Sequence, residues 1–68
     1  MNLSESLLKG KLSCAISIRD THARTLSGID PSVSPRRHAL VAGKLERAKA
    51  DVERHASALD DFYGATHG

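Results

Sequence analysis

Cys14 is the sole cysteine of the chain, and His22, His38, His55 and His67 are its only imidazoles. A reactive thiol needs exposure and a neighbouring cation that lowers its pKa. Antiparallel pairing of the two helices described below sets Cys14 opposite Ala48, where it is expected to act as a small buried hydrophobe. One cysteine also leaves no internal disulfide. None of the histidines stand four apart on one helix turn, the spacing that lets two imidazoles share a metal, so no metal is expected. His22 lies towards the turn and can approach the start of the second helix, yet two imidazoles without a third ligand make a poor metal site. His38 and His55 fall on an apolar seam. Their protonation between about pH 5 and 8 could loosen the packing, against the plainer expectation of rim residues with one nitrogen bonded. No serine has a base and an orienting acid at hand, and the carboxylates are scattered rather than paired. Two helices cannot enclose a pocket of substrate size. The chain therefore reads as non-catalytic, with no cofactor.

A basic cluster is the remaining candidate for chemistry. Arg36 and Arg37 stand in the first turn of a predicted helix, where the positive end of the helix dipole disfavours cations. Arg24, His22 and His38 are expected nearby and Lys44 about two turns further along, while Glu5, Asp60 and Asp61 gather at the opposite end. Such a tip suits an acidic protein surface, or simply leans into solvent. The alternative partner is nucleic acid, with Arg24, Arg36, Arg37 and Lys44 on phosphates. Ten Lys plus Arg against eight Asp plus Glu leave a net charge of only +2, with acids interleaved among the bases. Unopposed basic groups on one face, and a third helix for a helix-turn-helix, are both missing from that picture. No apolar run is long enough for a membrane span, and Lys9, Gly10 and Lys11 interrupt the apolar start that a signal peptide would need. A lone thiol without an export signal points to the reducing cytoplasm.

These side chains must be positioned by a small all-α fold. Sixty-eight residues form one domain at most. Chains below about 70 residues rarely gain more than 3–5 kcal/mol from one core. Residues 3–27 are expected to form the first helix, with Asn2 as cap, Glu5 as its capping-box partner and Gly28 as a left-handed terminator. Pro31 and Pro35 break the chain within a turn over 28–34, and the residues before them, Asp30 and Ser34, are steered out of the helical region. Ser34 as N-cap with Pro35 at the first helical position opens the second helix, over 35–63. Gly64 is expected to stop it, with 64–68 a frayed tail. At 1.5 Å per residue the helices span roughly 37 and 43 Å, and a short turn makes them antiparallel.

The apolar pattern then suggests a function. On the second helix His38, Val41, Leu45, Ala48, Val52, His55, Leu59 and Phe62 recur at steps of three and four, a coiled-coil seam. Ala42, Lys49, Ala56 and Tyr63 flank it. Glu46, Arg47, Glu53, Arg54, Asp60 and Asp61 form a solvated far side, with Arg47–Asp51 and Lys49–Glu53 spaced for ion pairing. The first helix carries two stripes, centred about 120° apart at 100° per residue. Leu3, Leu7, Cys14 and Ile18 are expected to meet the second helix within the chain. Leu8, Leu12, Ala15, Ile16, Ala23 and Leu26 are then left for a neighbour from outside. Two hairpins burying that stripe against its copy would make a homodimeric four-helix bundle; a monomer docking it on a target is the alternative. Together these features describe a small protein–protein interaction module that binds, and inhibits or adapts, a larger protein. In size and shape alone it is comparable with accessory proteins of phages and mobile elements, an analogy that rests on no motif.

Overall fold

The structure, a computed structural model, describes residues 3–67, with the side chains of Thr66 and His67 left aside. Helix α1 runs Leu3–Ser27 and helix α2 runs Pro35–His67, and no strand occurs among the described residues. They lie antiparallel as a hairpin, so that Tyr63 near the end of α2 donates a hydrogen bond to Glu5 near the start of α1. The molecule measures 52 × 18 × 12 Å. Its thinnest dimension is about one helix diameter, so each helix has a single companion and a broad free surface. Asn2, the expected cap of α1, and Gly68 lie outside the described residues.

The inward face of α2 is the seam read from its spacing. Val41, Leu45 and Ala48 are buried, and His38, Val52, His55, Leu59 and Phe62 are half-buried. The partner face on α1 differs from the expectation. Ala15 is buried and Leu8, Leu12, Ile16 and Leu26 are half-buried, whereas Leu3, Leu7, Cys14 and Ile18 are exposed. The set assigned to an external neighbour closes the hairpin, except Ala23, which is exposed, and the set assigned to α2 is left open to solvent. Two physical reasons account for the difference. The seam of α2 extends from His38 to Phe62 and needs cover along nearly all of α1. The stripe from Leu8 to Leu26 spans about 27 Å and reaches the turn end, where His38 and Val41 need cover, whereas the other spans about 22 Å and ends at Ile18. That stripe also carries four large apolar side chains, so it removes more apolar area from water. Where Ala15 and Ala48 lie inward, small side chains let the backbones approach.

The turn is closed by short-range bonds. Gly28 N–H donates to the Thr25 carbonyl (3.2 Å) and Ile29 N–H to that of Leu26 (3.1 Å). These three-residue spacings tighten the last turn of α1. Gly28 does not adopt a left-handed conformation. The terminating work passes to Asp30, whose carboxylate accepts from Ser32 N–H (2.9 Å) and from the Ser32 hydroxyl (2.6 Å). That bond from Ser32 N–H is an Asx turn, and the Asp30 backbone carbonyl, which accepts from Val33 N–H and Ser34 N–H, completes the reversal of the chain. The hydroxyl bond of Ser32, followed by its backbone bond, holds the Asp30 carboxyl below its ordinary pKa. Helix α2 opens with Pro35 as its first residue, and the Ser34 carbonyl accepts the first helical bond, from His38 N–H (3.0 Å). At the other end α2 runs through Gly64 to His67. Glycine inside a helix costs about 1 kcal/mol relative to alanine, and with no proline after it the hydrogen-bond ladder continues.

Candidate functional site

The exposed stripe of α1 is the feature that most departs from a self-sufficient hairpin. Leu3, Leu7 and Ile18 are 78%, 59% and 53% exposed, with Cys14 exposed between them. Sequence reasoning placed these four against α2 because a helical wheel fixes the angle between stripes and not the identity of their neighbours. Cys14 is accordingly not the buried hydrophobe it was expected to be. It borders an open, largely apolar groove of about 710 Å³ between the helices, together with Leu7, Gly10, Lys11 and Ile18, while Ala48, Asp51 and His55 form the α2 wall. A second, smaller groove lies alongside Ser17, Ile18, Thr21 and His22. On the way there Thr21 and Thr25 donate their hydroxyls to the carbonyls four residues back, both at 2.9 Å. This satisfies the hydroxyls locally.

Arg24, Arg36 and Arg37 lie beside the turn, with Lys44 nine residues further along α2 than Pro35. Arg24, Arg36, Arg37 and Lys44 are exposed and His38 is half-buried. No acidic residue lies in the first turn of α2 to offset Arg36 and Arg37. Two further apolar side chains sit near this end, Val33 at 76% and Leu40 at 64% exposure.

At the open end of the hairpin the structure holds a polar tie that the spacing did not reveal. Tyr63 Oη donates to Glu5 Oε1 at 2.8 Å, and Lys9 Nζ pairs with the same oxygen at 2.8 Å. Glu5, followed by Tyr63, raises the pKa of Lys9 above the ordinary lysine value. Glu5 thus pairs across the hairpin and along its own helix. The Phe62 and Tyr63 rings meet edge to face with centroids 5.9 Å apart. The solvated side of α2 is paired differently from the expected four-residue spacing. Lys49 reaches Glu46 at 3.4 Å and Arg54 pairs with Asp51, both three apart. Arg19 instead bonds its neighbour Asp20.

Among the described residues no group of three His, Cys, Asp or Glu side chains converges to hold a metal ion, and no helix is long and apolar enough to cross a membrane. His22, His38 and His55 stand apart: His22 beside the smaller groove, His55 beside the larger, and His38 at the turn end. Set against protein-family models, curated proteins and solved structures, the chain matches none of them.

Proposed function

We propose that this chain is a non-catalytic protein–protein interaction module of the cytoplasm, which pairs with a second copy of itself and binds a larger protein to inhibit or adapt it. The observation that carries the reading is the uncovered stripe Leu3, Leu7, Cys14 and Ile18 beside an apolar groove. A single hairpin leaves this apolar face in water, whereas soluble monomers rarely expose large contiguous apolar patches. Two hairpins joined along it would form a four-helix bundle. The surface area supports the same conclusion. A compact monomer of 7.3 kDa is expected to expose about 4,200 Å², and this chain exposes 5094 Å². The excess of about 900 Å² per chain is near the roughly 800 Å² that each partner contributes to a standard interface.

With the stripe engaged, the turn end remains for the larger protein. Arg24, Arg36, Arg37 and Lys44 project into solvent there, which favours an acidic surface and fast, oriented encounter. Affinity capture from the native host, read by mass spectrometry, tests this with the wild type and the Arg36→Glu/Arg37→Glu variant. The expected result is a protein held by the wild type and released by the reversal, with no retardation of DNA or RNA by the wild type at low salt. Equal capture by both chains would refute the role of the turn end, and retardation of nucleic acid would replace the partner class.

A further inference from the structure

The uncovered residues of α1 have a symmetry of their own. From Leu3 the steps are four to Leu7, seven to Cys14 and four to Ile18, so the stripe reads alike in both directions. Turned end for end and laid on itself, it pairs residues whose numbers add to 21. Leu3 meets Ile18, Leu7 meets Cys14, and Gly10 meets Lys11 at the centre. No shifted register pairs all four apolar positions. Self-complementarity of this kind is what an isologous two-fold contact requires. At 100° per residue the four also fall within an arc of about 60°, as narrow as a coiled-coil seam.

Two details at the centre agree with this. Gly10 stands in mid-helix, where glycine is unfavourable. A Cβ built there would meet nothing within 4 Å, as is also true of Gly43 and Gly64 on α2, so the hairpin leaves this level of α1 open. Of the three, Gly10 alone lies in line with the exposed stripe, where the missing side chain gives a second helix room to cross closely. Lys11 and Asp51 border the same groove, and Lys11 forms no ion pair with a described residue of its own chain. Asp51 already pairs with Arg54 of its own helix, so a two-fold axis through this level offers Lys11 a carboxylate shared with that arginine rather than a free one.

We infer that two copies of the chain associate antiparallel through α1, about a two-fold axis between Gly10 and Lys11, with Leu7 of each copy against Cys14 of the partner subunit. The inference rests on the stripe being a self-association face and adds its register. It also fixes where the basic ends go. The end of α1 lies about 25 Å from the axis at 1.5 Å per residue, so the two turn ends point in opposite directions roughly 50 to 60 Å apart. The assembly is then a two-headed bridge, able to hold one acidic partner at each end.

Disulfide trapping tests the register. Wild type, Leu7→Cys and Leu7→Cys/Cys14→Ser are oxidised under native conditions and separated without reductant. Only Leu7→Cys should run as a covalent pair, because positions 7 and 14 face each other across the axis. On a single helix these positions are about 10.5 Å apart, beyond the roughly 7 Å that a disulfide spans, so an internal link does not compete. A Leu3→Cys/Ile18→Cys/Cys14→Ser chain should link in the same way, which covers loss of packing at Leu7. Linkage of the wild type through Cys14, or of Leu7→Cys/Cys14→Ser, would overturn the register. So would a wild type that sediments as two chains while neither designed pair links, leaving the self-association reading in place. A wild type that sediments as one chain across its concentration range would overturn both.

Discussion

Replacing Leu45 by alanine measures how much the inward seam of α2 contributes. Leu45 is 8% exposed and occupies the middle of α2, whereas Leu40, on the same helix, is 64% exposed. Buried leucine-to-alanine changes cost about 2–5 kcal/mol, more where the hole cannot close. This molecule is only 12 Å thick, so half-buried neighbours and water can move into the space, and the lower part of that range applies. A loss of about 2–3 kcal/mol lowers the folding equilibrium roughly 30- to 150-fold. Against the about 3–5 kcal/mol that so small a core supplies, Leu45→Ala should leave a substantial unfolded fraction in water. Leu40→Ala removes the same atoms from a solvated position and gains helix propensity, so its effect should stay within about 0.5 kcal/mol. Urea titration followed by far-ultraviolet circular dichroism reads both, at one fixed protein concentration because association alters apparent stability. Equal midpoint shifts for the two variants would refute the assignment of the buried face.

Tyr63→Phe removes the hydroxyl that bonds Glu5 at 2.8 Å across the open end. A half-buried bond of this kind is worth about 1 kcal/mol, so the urea midpoint should fall modestly while helix content is kept; no change would mean that the tie does not close the hairpin. Asp30→Ala deletes the carboxylate that accepts two bonds from Ser32. Because the Asp30 carboxyl is held below its ordinary pKa, its contribution is present above the usual carboxylate range and is lost as pH falls through the lowered value. The difference in midpoint between wild type and Asp30→Ala should therefore be full at neutral pH and vanish in strong acid. A difference that persists there would assign the effect to something other than the charged Asx turn.

The elements were legible because their signals are local. Pro31 and Pro35 cannot sit in a helix interior, and Ser34 followed by Pro35 marks a start in any context. The seam from His38 to Phe62 was equally plain, since its steps of three and four leave no competing period. What the spacing did not settle was which stripe of α1 would meet that seam. Both stripes are helical in period, and the choice turns on a tertiary quantity, the length of α1 that α2 must cover. Leu8 to Leu26 reaches the turn end of the seam and Leu3 to Ile18 stops short of it. Cys14 changed from buried to exposed for the same reason. Gly28 and Gly64 illustrate a second limit. Each is compatible with a helix end, but Asp30 and Ser32 supply the turn at the first site, and nothing after Gly64 opposes continuing the helix. The tie between Glu5 and Tyr63 joins opposite ends of the sequence, where no local pattern could announce it.

Which face of α1 lies against α2 decides the rest of the account, and methyl nuclear Overhauser spectroscopy on the intact chain reads it directly. With Ala15 and Ala48 at one level, the methyl groups of Leu12 should show close contacts with those of Val52, and those of Ile16 with Leu45. Contacts from Ile18 to Leu45 and from Leu7 to Val52 or Leu59 of the same chain, with Leu12 and Ile16 silent, would contradict it.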